Sequence, residues 1–244
     1  MAEEKDLNLV IVTGGSRGLG KALMDAYEAR EWSTLEFSRS GTGFNHMPLD
    51  LANLDACLPV LEAQLQTLAG TPWNRVVYIN NAGTLTPIAP VRALTDTQIE
   101  NNLAVNLVSG IRLMSAFVRA FATCNAAVIV ANISSGAALK GYAGWPLYCA
   151  AKAGLENYIR SLAAEQSGSD HPLTCINIEP GVIDTEMQAE IRETDDKHFP
   201  DVARFIELKR AGQLRSAKSV ARAIVGMLDS MPDNGGRYRI ADHP

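Results

Sequence analysis

Two residues one helical turn apart, Tyr148 and Lys152, carry the clearest chemical signal in the sequence. Residues four apart on a helix share one face, so the phenol and the ammonium can act on the same small volume. A tyrosine, with a pKa of ~10, is a weak acid–base group at neutral pH, and a nearby ammonium favours the phenolate. The pair therefore predicts acid–base catalysis by a phenol. A surface amphipathic pair has the same spacing, so neighbouring motifs must decide between the two.

Ser135, thirteen residues before Tyr148, is the next candidate catalytic residue. It follows an apolar, β-branched run over residues 126–133, which predicts a strand. Ligands of parallel α/β sheets bind outside the carboxyl ends of the strands, and this position suits a hydroxyl that orients a substrate. Its neighbour Ser134 is the competing candidate.

A glycine-rich turn, Thr13 to Gly20, joins a predicted strand at 9–13 to a predicted helix at 19–31. Glycine allows a tight turn, close approach of the backbone to a pyrophosphate, and close packing of the helix on the sheet. The unpaired N–H groups and partial positive charge of the helix N-terminus favour phosphate. The turn therefore predicts a dinucleotide site, although a glycine pattern alone is weak evidence.

These motifs together resemble the short-chain dehydrogenase/reductase family, and the resemblance extends over nearly the whole chain. The glycines have the spacing TGxxxGxG, the motif NNAG occupies residues 80–83, and a Pro-Gly turn follows a predicted strand at 173–178. The resemblance implies hydride transfer between a nicotinamide dinucleotide and a carbonyl carbon. Besides Tyr148 and Lys152, it implies cofactor binding by Gly14, Ser16, Arg17, Gly18, Leu19, Gly20, Ser38, Arg39, Asp50, Leu51, Asn81, Ala82, Gly83, Pro180, Gly181, Val182, Ile183 and Thr185.

The end of the second predicted strand, at 34–38, distinguishes the two nicotinamide cofactors. An NAD enzyme offers an acid to the ribose hydroxyls there, whereas an NADP enzyme needs positive charge for the 2′-phosphate. By resemblance, Ser38 stands at this position with Arg39 next to it, and Arg17 lies in the glycine turn. Two arginines can bind one phosphate, which predicts NADP(H). A shift of two residues would instead place the acid Glu36 there.

The resemblance also implies a role for each catalytic residue. Tyr148 would donate a proton to the developing alkoxide, and Ser135 would hydrogen-bond the carbonyl oxygen. Lys152 would stabilise the phenolate and bind the nicotinamide ribose. Asn106 matches a helix asparagine that holds a water for proton relay, and Asp50 matches an adenine contact or is simply a helix N-cap.

Segments 144–152 and 184–188 are most similar to the branch of the family that contains sepiapterin reductase and the bacterial benzil reductases. This branch implies a ketone or diketone substrate in an apolar, aromatic pocket. The predicted pocket residues are Leu139, Tyr142, Trp145, Leu147, Met187 and Asp242. Asp242 would correspond to an acid that anchors a pterin, but Ile240 aligns nearer to that position, and both lie on one strand face.

The elements that position these residues alternate between apolar strands and amphipathic helices. This alternation predicts an α/β fold: a single-domain, Rossmann-type, doubly wound parallel sheet with helices on both faces, over residues 1–244. A polar stretch, 188–215, looks irregular and predicts a substrate-loop insertion at about 184–215. Further strands are predicted at 44–49, 75–80 and 237–240, and further helices at 51–69, 95–123, 146–166 and 216–229.

Composition and charge exclude several function classes. The net charge of -5 and the absence of a basic run argue against nucleic-acid binding. No segment approaches the ~20 apolar residues of a membrane span, and none predicts a signal peptide. The four cysteines form no CxxC pair, so we expect neither a metal site nor disulfides, as in a cytoplasmic protein.

Two other functions fit much of this pattern. The protein could be an NAD-linked alcohol dehydrogenase, or a non-catalytic dinucleotide-binding regulator, because fold alone does not determine function. The predicted helices at 95–123 and 146–166 carry more apolar residues than one face against a sheet requires. By resemblance they would pair across a two-fold axis, giving a homodimer or homotetramer.

Overall fold

The computed structural model describes residues 7–240. The strands are β1 (Asn8–Thr13), β2 (Ser33–Ser38), β3 (His46–Pro48), β4 (Arg75–Asn80), β5 (Ala127–Ile133), β6 (Thr174–Glu179), β7 (Ile183–Asp184), β8 (Arg215–Ser216) and β9 (Arg237–Arg239). The α-helices are α1 (Gly18–Glu28), α2 (Leu58–Ala69), α3 (Asp96–Leu103), α4 (Ser109–Phe121), α5 (Pro146–Glu165), α6 (Glu186–Arg192), α7 (Val202–Arg210) and α8 (Ala217–Asp229).

Seven of the strands form one parallel sheet in the order β3-β2-β1-β4-β5-β6-β9. The central strands are continuous apolar runs because helices cover both faces. One core lies between the sheet and α2, α4 and α5, and the other lies between the sheet and α1 and α8. The predicted fold class, a single α/β domain with a Rossmann-type sheet, is confirmed.

Residues 188–215 differ from the predicted irregular stretch because half of them are helical. They contain most of α6 and all of α7, and the short parallel pair of β7 and β8 joins the two ends of this segment. Val202 and Phe205 are three residues apart and bury their side chains with Phe199 and Trp145 in a third, smaller core. Short helices show few turns, so their apolar periodicity is weak in the sequence.

The other predicted helices differ in detail. Residues 51–69 divide into a 3₁₀ segment, Leu51–Ala56, and α2, and a π turn, Ala104–Val108, separates α3 from α4. The helical stretch Asp96–Phe121 contains an 18-residue window with a mean hydropathy of 1.3 and is long and apolar enough to cross a membrane, which the sequence did not predict. Its side chains Leu113 and Phe117 are packed in the core of the domain.

Candidate active site

A cleft of about 1150 Å³ opens at the carboxyl ends of the central strands. All of the cofactor-binding residues predicted from the sequence line it, as do Ser135, Tyr148 and Lys152. This is the position where the order of the strands reverses, between β1 and β4, and ligands of such sheets bind there. The sheet therefore brings together residues that are far apart in the sequence.

The glycine turn between β1 and α1 forms a close-fitting cradle at one end of the cleft. Gly14 and Gly18 have φ angles of +69° and +56°, which favour glycine. A Cβ atom on Gly20 would lie 2.1 Å from the carbonyl oxygen of Gly14. Arg17 occupies the N-cap position of α1, but its side chain accepts no hydrogen bond from the first turn. The first N–H groups of the helix are therefore available to an anion.

Thr13 and Asn81 fasten this turn to the neighbouring strand. The Thr13 hydroxyl accepts hydrogen bonds from the backbone N–H groups of Asn81 and Ala82, at 2.9 and 3.0 Å. The Asn81 amide donates to the carbonyl oxygens of Thr13 and Gly14. The NNAG motif therefore holds the ends of β1 and β4 together beside the cradle, and this geometry fits a dinucleotide pyrophosphate.

Glu36, the acid that could have favoured NAD, is turned away from the cleft. Its carboxylate is buried, accepts a hydrogen bond from Ser38 Oγ at 3.1 Å, and lies 2.5 Å from His46 Nδ1. Ser38 and Arg39 line the cleft in its place. Arg39 is exposed and makes no ion pair with any residue from 7 to 240.

Arg17 is arranged differently from the prediction that both arginines face one phosphate. Its guanidinium pairs with Glu186 at the start of α6, and both side chains are exposed. Asp50 accepts a hydrogen bond from the Ala52 N–H at 3.1 Å, as an N-cap does, and it also lines the cleft. Of the two arginines, Arg39 is the one free to contact a 2′-phosphate.

Tyr148 and Lys152 lie on the buried face of α5, next to the end of β5. The Lys152 ammonium lies 5.6 Å from the centre of the Tyr148 ring and donates a hydrogen bond to the Ile133 carbonyl oxygen at 2.7 Å. The Ser135 side chain lies close enough to the Tyr148 phenol to lower its pKa. One serine, one tyrosine and one lysine therefore meet at the predicted position.

Burial is the main influence on the pKa values of Tyr148 and Lys152. It raises the pKa of Tyr148 to about 12, although the nearby Ser135 side chain opposes the shift. Burial also lowers the pKa of Lys152 to about 8, and the Glu156 carboxylate opposes that shift. The sequence had predicted that the lysine would lower the tyrosine pKa, but desolvation of the phenolate dominates, and Lys152 is not among the groups that shift this pKa. Tyr148 is therefore protonated at neutral pH and can act as a proton donor.

Glu156, one turn after Lys152, decides between the two serines. Its buried carboxylate accepts a hydrogen bond from Ser134 Oγ at 2.5 Å, so Ser134 is directed into the protein interior. Ser135 is left facing Tyr148. The sequence analysis missed Glu156, and the signal that could have revealed it was an acid four residues after the lysine, on the same helix face.

The substrate end of the cleft has an apolar, aromatic wall. Leu139, Tyr142, Trp145 and Met187 line it, as predicted pocket residues. Trp145 stacks on Phe199, with ring centres 4.5 Å apart and an interplanar angle of 9°. Leu147 does not line the cleft, because adjacent helical residues point about 100° apart and Tyr148 takes the inward position. Asp242 lies outside the described residues.

A family profile described as short chain dehydrogenase matches residues 8–196. A benzil reductase ((S)-benzoin forming) of Bacillus subtilis is 34% identical, covering 97% of this chain and 99% of its own. Sepiapterin reductase of Bos taurus is 32% identical, covering 94% and 92% of the two chains. A solved short chain dehydrogenase/reductase of Saccharomyces cerevisiae has the same fold, with a TM-score of 0.81 at 24% identity, covering 96% of each chain.

The chain belongs to the short-chain dehydrogenase/reductase family. It lies in the branch similar to benzil and sepiapterin reductases, as the sequence predicted, and it is an oxidoreductase of that family. Members of this family bind a nicotinamide dinucleotide.

Three asparagines fix the strand ends of this dehydrogenase/reductase: Asn80 of the NNAG motif, and Asn132 and Asn177, which the sequence analysis missed. The amides of Asn80, Asn132 and Asn177 form a buried chain of hydrogen bonds across β4, β5 and β6, at 3.0 and 2.8 Å. Asn177 then donates to the Glu156 carbonyl oxygen on α5 at 3.2 Å. The chain links the sheet to the helix that carries Tyr148. The sequence signal for this chain of amides was an asparagine within or at the carboxyl end of each of three mainly apolar strands.

Asn106 lies in the π turn, beneath the cleft wall and not on it. Its side-chain oxygen accepts from the Thr84 N–H at 2.8 Å, and its amide donates to the Thr84 carbonyl oxygen and to Asn102 Oδ1. Both amide hydrogens are therefore used within the chain. The side chain holds the loop after NNAG, so its amide hydrogens are not available to a relay water, and the relay role implied by the family resemblance stays a prediction. π turns often occur at functional sites.

Proposed function

We propose that this protein is an NADPH-dependent carbonyl reductase acting on ketones or diketones, with Tyr148 as the proton donor. The observation that carries the proposal is a buried, protonated Tyr148 that lies beside Ser135 and Lys152 in the cleft at the strand ends. The similarity to a benzil reductase and to a sepiapterin reductase supports a dicarbonyl substrate.

The residues of the cleft have the arrangement needed to hold the cofactor. The glycine cradle and the N-terminus of α1 would bind the pyrophosphate, and Asp50 would lie at the adenine. The turn Pro180–Gly181, with Val182, Ile183 and Thr185, would flank the nicotinamide, and Lys152 would bind its ribose. When bound, NADPH supplies the hydride that reduces the carbonyl carbon.

The protein's own groups complete the reduction at the carbonyl oxygen. Ser135 donates a hydrogen bond to this oxygen as negative charge develops on it. Tyr148 transfers its phenolic proton to the same oxygen, so the C=O double bond becomes an alcohol. The Lys152 ammonium stabilises the phenolate that remains. The helices α6 and α7, in the insertion at about 184–215, cover the substrate and exclude water.

The central test is NADPH oxidation with benzil and related diketones by wild-type protein and Tyr148→Phe. We expect the variant to lose about 100-fold or more in kcat/KM, because general acid catalysis contributes about 10²–10⁴-fold. Tyr158→Phe is the matched control, because Tyr158 lies on the same helix and bonds Ser115 outside the cleft. If Tyr148→Phe kept the wild-type rate with every diketone tested, the catalytic assignment would be wrong.

The preference for NADP(H) rests on Ser38 and Arg39, with Glu36 buried. Calorimetric titration with NADP⁺ and NAD⁺ separately should give tighter binding of NADP⁺. Arg39→Gln should weaken NADP⁺ binding about tenfold, the effect of one charge-assisted hydrogen bond, and leave NAD⁺ binding unchanged. Equal or tighter NAD⁺ binding by the wild type would favour the NAD-linked alcohol dehydrogenase. Cofactor binding with no turnover of any carbonyl would favour a regulator.

We also propose that the protein is a cytoplasmic homodimer or homotetramer. Val108 is exposed, and Leu107, Ile111 and Val118 are half-buried, so the π turn and α4 present an apolar strip to solvent. A second copy of this face would cover it. Light scattering at micromolar protein should give a mass of two or four chains, and a monomer would contradict the proposal.

A further inference from the structure

The last strand of the sheet, β9, brings two arginines to the substrate end of the cleft. Arg237 and Arg239 are two residues apart, so their side chains lie on the same face of the strand. Both line the cleft. They pair in register with Asn177 and Glu179 of β6, immediately before the Pro180–Gly181 turn.

Arg237 is held from two sides and has little capacity for a ligand. Its Nε donates to Glu156 Oε1 at 2.9 Å, and its Nη2 donates to Glu179 Oε2 at 2.7 Å. The same Nη2 lies 3.5 Å from the carbonyl oxygen of Ser135. Two carboxylates neutralise this guanidinium, so Arg237 connects the catalytic turn to β9 and is an anchor.

Arg239, in contrast to Arg237, is not held by a close carboxylate. Its side chain is 57% exposed, and its only ion pair with a described residue is a 3.6 Å approach of Nε to Glu179 Oε1. That distance is beyond a hydrogen bond, and Glu179 already pairs closely with Arg237. The N–H groups of Arg239 therefore have no hydrogen-bond acceptor among residues 7–240.

Positive charge exceeds negative charge around β9. Two carboxylates, Glu156 and Glu179, face the guanidinium groups of Arg160, Arg237 and Arg239, and Glu156 also interacts with the Lys152 ammonium. The whole chain has a net charge of -5, so a positive site in the cleft runs against the overall balance. Such a site attracts an anion, and a guanidinium fork matches a carboxylate in particular.

Given the proposed carbonyl reduction, on which this inference rests, we propose that Arg239 binds a carboxylate of the substrate. The preferred substrates would then include keto carboxylates, in which the anionic group lies a few bonds from the reduced carbonyl. Arg237 lies next to the Ser135 backbone, and the backbone of Arg239 lies about 7 Å further along the strand, so a carboxylate bound there would be several bonds from the reduced carbonyl.

The test compares 3-benzoylpropionate, a keto acid whose carboxylate carbon is three bonds from the ketone carbon, with its neutral methyl ester in NADPH-dependent reduction. Arg239→Gln should lower kcat/KM for the acid about 10- to 100-fold, mainly through KM, as expected for the loss of a charge-assisted hydrogen bond. Reduction of the ester should be unchanged. Arg222→Gln is the control, since Arg222 is an exposed arginine on α8 outside this cleft.

The proposal would be overturned if the ratio of kcat/KM for the acid to kcat/KM for the ester were the same in Arg239→Gln as in the wild type. The proposal would also be overturned if Asp242→Asn changed the ratio of kcat/KM for the acid to kcat/KM for the ester while Arg239→Gln left that ratio unchanged. Calorimetry with 3-benzoylpropionate, in the presence of NADP⁺, separates this proposal from the proposed function. Binding that depends on Arg239, without reduction of acid or ester, would support the carboxylate site and contradict the reductase.

Discussion

The Glu156 carboxylate helps to keep Lys152 protonated, and replacing it by glutamine tests whether catalysis needs the Lys152 ammonium. Burial lowers the pKa of Lys152 to about 8, and the Glu156 carboxylate opposes this shift. Glutamine has nearly the same shape as glutamate, so Glu156→Gln removes the charge while Ser134 can still donate to the amide oxygen. The pKa of Lys152 must then fall, because the ammonium loses a stabilising anion.

The size of this fall follows from the helix geometry. Side chains one turn apart are separated by about 6 Å. At an effective dielectric constant of about 20, a unit charge at this distance contributes roughly 2.8 kcal/mol, equivalent to about 2 pKa units. Arg160 pairs with the same carboxylate and is half-exposed, so it can turn towards solvent and reduce the effect. We expect a fall of about 1 to 2 units.

The assay is the pH dependence of kcat/KM for NADPH-dependent reduction of benzil. Because Lys152 acts as an ammonium, activity is lost as pH rises through its pKa. The basic limb of Glu156→Gln should therefore move to lower pH by about 1 to 2 units. Glu165→Gln is the control on the same helix, about 20 Å from Lys152 and beyond the screening length. An unchanged basic limb in a folded Glu156→Gln protein would refute the reasoning.

Two further variants test the surroundings of the site. Asn132→Ala should lower the free energy of unfolding by roughly 2–6 kcal/mol, because the buried amides of Asn80 and Asn177 each lose a partner. Urea denaturation measures this, and a loss no larger than that of the exposed control Asn125→Ala would contradict it. Glu186→Gln should tighten NADP⁺ binding several-fold at most, because it releases Arg17 from a surface ion pair. Calorimetry should show no change for NAD⁺, and an equal change for both cofactors would count against a role of Arg17 at the phosphate.

Features that depend on neighbours along the chain could be predicted from the sequence. The Tyr148–Lys152 face follows from the helical repeat, and the cradle between β1 and α1 follows from the position of its glycines. The parallel sheet follows from apolar runs alternating with amphipathic helices. The helices α6 and α7 were missed because exposed charged residues conceal the few apolar positions of each short helix.

Features that depend on distant contacts were decided only by the tertiary structure. The spacing of Tyr148 and Lys152 was fixed by the sequence itself, but the high pKa of Tyr148 results from burial under residues of other elements. The choice of Ser135 over Ser134 depends on Glu156 of α5, and the withdrawal of Glu36 depends on His46 of β3. Local periodicity carries no information on such pairs, since their proximity and desolvation arise only when the sheet and helices pack together.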